Sequence, residues 1–181
     1  MSKTKTARKL TQMQRAEDLF TRACYKDDAE QYRSAFRLFL KAAKLGNAGC
    51  QINVGNYYSV GTGVKKNLKS AFYWYKLALR KGYDSAANNI GCTYRMEGDY
   101  RRALYWLKKA VAMGDVEANA NIAKLYIKQL KQPKLAIPYL KQVCKAKLYV
   151  EVSLAGQQEA KQILNRLTKK LAASAAKKRK K

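Results

Sequence analysis

The sequence predicts an all-α protein built from about four helix-turn-helix repeats with a C-terminal capping helix. Three observations predict it. Small and large apolar residues recur at offsets 0, 3, 4 and 7 from Ala35, Ala71, Ala103 and Ala136, which is one face of an α-helix. Those alanines stand 32 to 36 residues apart, a period that belongs to helical repeat arrays. Gly46, Gly82 and Gly114 close three of the helices so marked, where a left-handed C-terminal cap is needed.

The elements follow in order. Residues 1–10 are polar and basic without periodicity, and are expected to be disordered. From about Thr11 to Lys26, Leu19, Phe20 and Ala23 form a stripe, giving an irregular first helix that closes one end of the array. The outer helix of each unit carries the reference alanine. Three residues on stand Leu38, Trp74, Trp106 and Tyr139, then Phe39, Tyr75, Leu107 and Leu140, and at offset 7 Ala42, Ala78, Ala110 and Val143. Large beside small lets neighbouring helices interlock, so these aromatics read as core and not as a cofactor box.

Asn47, Asp84 and Asp115 are placed to cap the helices that come next. These inner helices are expected at about 47–60, 84–97 and 116–130. Each repeats one core: Asn53-Val54-Gly55, Asn89-Ile90-Gly91 and Asn121-Ile122-Ala123, with Tyr58, Tyr94 or Tyr126 three residues beyond the small position. Glycine costs about 1 kcal/mol in a helix interior, so its return at one register implies close helix-helix contact. Pro138 should kink or shorten the last outer helix. After Lys147 the repeat stops. Leu154 to Leu171 reads as an amphipathic capping helix with Ala160, Ile163, Leu164 and Leu167 on one face. The division is therefore a basic N-terminus (1–10), a repeat domain (11–168) and a Lys/Ala-rich tail (169–181).

Leu/Ile-Gly-x-x-Tyr followed by Ala-x-x-x-Tyr/Leu-x-x-Ala resembles the tetratricopeptide repeat. The run from Tyr58 through Gly61-Thr-Gly63-Val64 to Asn67 and Ala71, followed by Phe72-Tyr-Trp74-Tyr-Lys76, is similar to the Sel-one-like repeat, a subfamily with a longer inter-helix turn. The resemblance covers about residues 33 to 146. It implies a right-handed α-α superhelix, or solenoid, with the Asn-bearing helices lining its concave side. It also implies a non-enzymatic scaffold or adaptor.

Charge narrows the partner. The chain carries 38 Lys+Arg against 12 Asp+Glu, a formal net charge of +26. Between Gln31 and Val150 there are 22 Lys/Arg and 5 Asp/Glu, so the folded part is itself basic. Such an imbalance points to an anionic partner: an acidic protein segment, nucleic acid, or an anionic membrane touched only weakly through the tail. With no histidine, His-based acid/base chemistry and His-using zinc sites are excluded. Cys24, Cys50, Cys92 and Cys144 show no C-x-x-C pair and read as buried free thiols, which favours a reducing compartment. No secretory signal or membrane span is evident, so a soluble cytoplasmic protein is expected, with no catalytic residues, metal, cofactor or small-molecule substrate. Oligomeric state is left open.

Two faces and a tail are candidate sites. On the inner helices Asn53, Asn89 and Asn121 form a row whose amides can donate to and accept from an extended peptide backbone. The row resembles the asparagine ladder of peptide-binding tetratricopeptide superhelices; the same residues could instead tie neighbouring helices together. Arg95, Lys124 and Lys128 are expected beside it and would favour an acidic peptide. On the outer helices, Arg33, Lys69, Arg101 and Lys134 stand at offset −2, Lys76, Lys108 and Lys141 at +5, and Lys44, Arg80 and Lys145 at +9. These offsets share one helix face. Tyr73 and Tyr105 border it and offer rings that bases could stack on. A solvated helix face is the plain alternative. Lys177 to Lys181 could contact phosphates or serve as a nuclear import signal, or simply solubilise the chain.

Overall fold

The computed structural model describes residues 2–147 and 153–179, with side chains at 11–147 and 153–174. Every described element is helical. The chain forms two compact units, Met1–Asn89 and Ile90–Lys181. The first holds α1 (Ser2–Asp28), α2 (Tyr32–Lys44), α3 (Ala48–Val60), α4 (Leu68–Leu79) and the opening turns of α5 (Asp84–Met96). The second holds the rest of α5, α6 (Tyr100–Ala112), α7 (Glu117–Lys124), α8 (Ile137–Lys145) and α9 (Leu154–Arg179).

In the first unit α1 packs along α2, α2 along α3, and α3 along α4. The reference alanines Ala35 and Ala71 are fully buried, with Phe39, Tyr75, Ala42 and Ala78 at offsets 4 and 7. Leu38 and Trp74 at offset 3 are only half-buried, because that position lies at the edge of the stripe. Ala16, Leu19 and Ala23 of α1 join the same core as Cys50, Val54 and Tyr57 of α3. The tight contact expected at Gly55 is present: an added Cβ would overlap the Tyr75 ring. Tyr75 is held there by its hydroxyl, which donates to Asn56 Oδ1 at 2.7 Å.

The second unit repeats the scheme. Ala103, Leu107 and Ala110 of α6 are buried, as are Ala136, Leu140 and Val143. A Cβ at Gly91 would stand 2.7 Å from Leu107 Cγ. Trp106 and Tyr139 are again half-buried. In α9, Ala160 is buried, and Ile163, Leu164 and Leu167 are half-buried on the face turned to α8. Gln157 fixes that end, its amide donating to the carbonyls of Cys144 (3.2 Å) and Ala146 (3.0 Å).

The caps depart from expectation in one place. Asn47 accepts from the Cys50 amide and Asp115 from the Ala118 amide, as N-caps do. Asp84 is instead the first residue of its helix and accepts from its neighbour, the Ser85 amide. Asn67 and Asp99 cap α4 and α6. Gly46, Gly82 and Gly114 all have positive φ.

Three boundaries differ from the sequence reading. Helix α1 begins at Ser2, within the segment expected to be disordered, and α9 continues through the basic tail to Arg179. The inner helix expected over 116–130 is α7 followed by a π-helical stretch, Leu125–Gln129. Pro138 does shorten the last outer helix: a 3-10 turn over Pro133–Ala136 leads into α8, with Pro138 in its first turn, where no backbone N–H is needed.

Candidate binding faces

Burial fixes which residues can reach a partner. Along α3 and the start of α5, Val54, Ala86, Ala87 and Asn88 turn inward, which leaves Asn53 and Asn89 half-buried at the margin. The Asn53 side chain forms no hydrogen bond with any described residue. In the second unit Asn121 is half-buried and lines a cavity of about 220 Å³ with Lys124, Glu117 and Glu159. Lys124 is already engaged there, 3.3 Å from Glu159 of α9. Arg95 is half-buried and Lys128 exposed. Burial pushes the Cys92 thiol up, while Arg95 and Lys124 pull it down and Asp115 and Glu117 add to the rise. Arg95 and Lys124 thus lie near one thiol, among acids as well as bases.

The outer helices are different. In the first unit Arg33 and Lys44 on α2, and Lys69, Lys76 and Arg80 on α4, are all exposed. In the second, Arg101 and Lys108 on α6, Lys134 in the 3-10 turn, and Lys141 and Lys145 on α8 are exposed too. Among the described residues none of these ten cationic side chains has a hydrogen bond or an ion pair. Ion pairs do form elsewhere, among them Arg22 with Asp18, Arg102 with Asp99, and Lys124 with Glu159. Tyr73 and Tyr105 are 58% and 62% exposed, and each meets the following tryptophan edge-on, with centroids 5.3 and 5.6 Å apart. Each tyrosine has a cation one turn before it and another one turn after: Lys69 and Lys76, Arg101 and Lys108.

The thiols are free, as expected, but only Cys50 is fully buried; the other three are half-buried. Lys180 and Lys181 of the basic tail lie outside the described residues. Among the described residues no cluster of His, Cys, Asp and Glu is placed to hold a metal ion, and no helix is long and apolar enough to cross a membrane. Sequence reasoning passed over Arg15, Arg22 and Lys41, which border a cavity between α1 and α2. The spacing of Arg15, Leu19 and Arg22 on one face was the available signal, in a helix outside the repeat register.

The Sel1 repeat family model matches residues 29–47, 48–83 and 85–115. The chain carries Sel1 repeats within residues 29–115. Its helix pairs are similar to those of a Sel1 repeat protein from Oxalobacter formigenes (27% identity, TM-score 0.54, covering 70% of this chain and 56% of that one). They are also similar to c5321, a protective antigen with the SLR fold from uropathogenic Escherichia coli (25% identity, TM-score 0.55, 70% and 30%). An immunity protein from Pseudomonas aeruginosa, Pa5087, shares the fold (21% identity, TM-score 0.52, 72% and 53%). The Sel1-like chain spans little more than half the length of these proteins, or less. Sel1 repeat proteins are generally protein-interaction scaffolds, and their fold is typically non-enzymatic.

Proposed function

We propose that this chain is a scaffold that holds an acidic segment of a partner protein, with the outer helices supplying the attraction. One observation carries the reading: ten exposed cations at three repeat offsets, none neutralised by a described residue. A cation already paired inside its own protein has little left to offer an incoming carboxylate, and complementary charge raises encounter rates and selects partners. The inner helices add amide contacts from Asn53 and Asn89 in the first unit and from Asn121 in the second, where Arg95 and Lys128 are further cations. Their share is smaller, because Lys124 is spoken for and Glu117 and Glu159 would repel an acidic peptide.

The test is a pulldown with the intact chain, eluted by stepped salt with and without nuclease. The Lys69→Glu, Lys76→Glu, Arg101→Glu, Lys108→Glu variant is expected to lose its nuclease-resistant partners. Asn53→Ala, Asn89→Ala, Asn121→Ala should lose less. Retention by the reversed variant, with loss in the asparagine variant, would return the site to the inner row.

Nucleic acid is the second reading, favoured by the ring-and-two-cation arrangement at Tyr73 and at Tyr105. It predicts nuclease-sensitive retention and an affinity that falls steeply with log salt.

A further inference from the structure

A cavity of about 480 Å³ runs between α1 and α2 in the first unit. Its apolar residues are Leu19, which is buried, and Leu38 and Leu45, which are half-buried. Its rim is basic on both sides. Arg15 and Arg22 stand two turns apart on α1, roughly 10 Å along the axis. Lys41 and Lys44 stand one turn apart on α2. Asp18, the single acid among the described lining residues, is tied to Arg22 at 3.3 Å. Arg15, Lys41 and Lys44 have no described partner.

We infer that this groove docks an acidic amphipathic helix of a partner protein, seating an apolar side chain on the leucines between carboxylates that meet Arg15 and Lys41. The inference rests on the reading of the chain as a scaffold for acidic segments, and gives that segment an anchor point. Three features select this occupant. The cations flank the apolar floor on two sides, so a ligand needs acids on both sides of one apolar residue. Among the described residues no aromatic ring lines the groove, which removes the stacking surface that single-stranded nucleic acid would use. A second copy of the chain would bring a net charge of +26 against a basic rim.

The probe is a labelled synthetic helix of about sixteen residues, some four turns, with Glu at i, i+4 spacing flanking two leucines. Its controls are the same peptide with both leucines replaced by Ser and a single-stranded RNA. Binding is read by fluorescence anisotropy with the full chain. The acidic peptide should bind and the Leu-to-Ser peptide should bind about tenfold more weakly. Arg15→Glu with Lys41→Glu should cost at least about tenfold, while Lys65→Glu with Lys161→Glu, exposed lysines outside the groove and outside both binding faces, leaves this peptide within about twofold. Both variants change exposed side chains, and circular dichroism confirms the fold. Peptide binding kept in the Arg15/Lys41 variant and lost in Lys69→Glu with Lys76→Glu would overturn the groove and leave the scaffold reading standing. Failure of every acidic peptide to bind would remove both. Equal binding of RNA and peptide at the groove, or self-association in sedimentation that Arg15→Glu with Lys41→Glu abolishes, would also overturn the inference.

Discussion

A methyl group added at Gly91 would meet Leu107 Cγ at 2.7 Å, with Leu107 Cδ2 at 2.9 Å and its amide nitrogen at 3.1 Å. The side chain can turn away, but the backbone nitrogen cannot. Alanine gains about 1 kcal/mol in helix propensity over glycine, against about 1–3 kcal/mol for overpacking. Gly91→Ala should therefore destabilise by up to about 2 kcal/mol in urea unfolding. A gain in stability would mean that α5 and α6 shift freely at this point. The buried thiol of Cys50 gives a second residue-scale prediction. Burial, then the charges of Cys24 and Glu17, push its pKa from the ordinary 9.0 to about 12. Burial and the hydrogen bond to Asp27 push the Tyr57 phenol up as well. Both groups keep their protons longer when folded, so the stability they contribute is complete below about pH 9 and is lost as pH climbs towards 12. Cys50→Ala should flatten that alkaline decline, measured as the urea midpoint at pH 8, 9 and 10. An unchanged slope would assign the decline to other groups.

At the scale of elements, the end of the π-helical stretch is where backbone and sequence disagree. Lys131 sits at φ 54°, a left-handed conformation that glycine adopts without steric cost, whereas the helices ending near Gly46, Gly82 and Gly114 already have glycine there. Lys131→Gly should raise stability by about 0.5–1 kcal/mol, seen as a higher melting temperature. A loss would mean that the lysine side chain contributes more than its backbone strain costs. This position also shows what the sequence could not disclose. The alanine register, the small residues at Gly55, Gly91 and Ala123, and most caps were legible, because each depends on neighbours within one turn or on a period of fixed length. The switch of hydrogen-bonding from α to π after Lys124 was not, since it follows from how the chain leaves the helix: the Gln132 amide donates to the Tyr126 carbonyl at 2.8 Å. The outer cations were legible as a face from their spacing, and all ten are exposed. The pairing of Lys124 with Glu159 was not, because 35 residues and a change of element separate them. The groove beside Arg15 and Lys41 was likewise hidden, as α1 carries none of the repeat's markers.

At the scale of the whole molecule, a formal net charge of +26 on 181 residues works against folding. Like charges held on a compact body repel more than the same charges on an extended chain, and acids are too few to offset them. Salt relieves that repulsion: the screening length shortens from about 30 Å at 0.01 M to about 8 Å at 0.15 M. The melting temperature should therefore rise by a few degrees over that range, about 1–2 kcal/mol for a chain of this size. The four reversals at Lys69, Lys76, Arg101 and Lys108 each remove two positive charges and take the formal net charge from +26 to +18. They remove no described ion pair, so they should raise the melting temperature at low salt and reduce its rise with added salt. Differential scanning fluorimetry across a salt series reads both effects. Higher stability together with lost binding is the pairing expected if these cations serve a partner at the expense of the fold. If the four reversals lower stability instead, the outer lysines and arginines hold the helices through contacts of their aliphatic stems, and the charge would lose its standing as the basis of recognition.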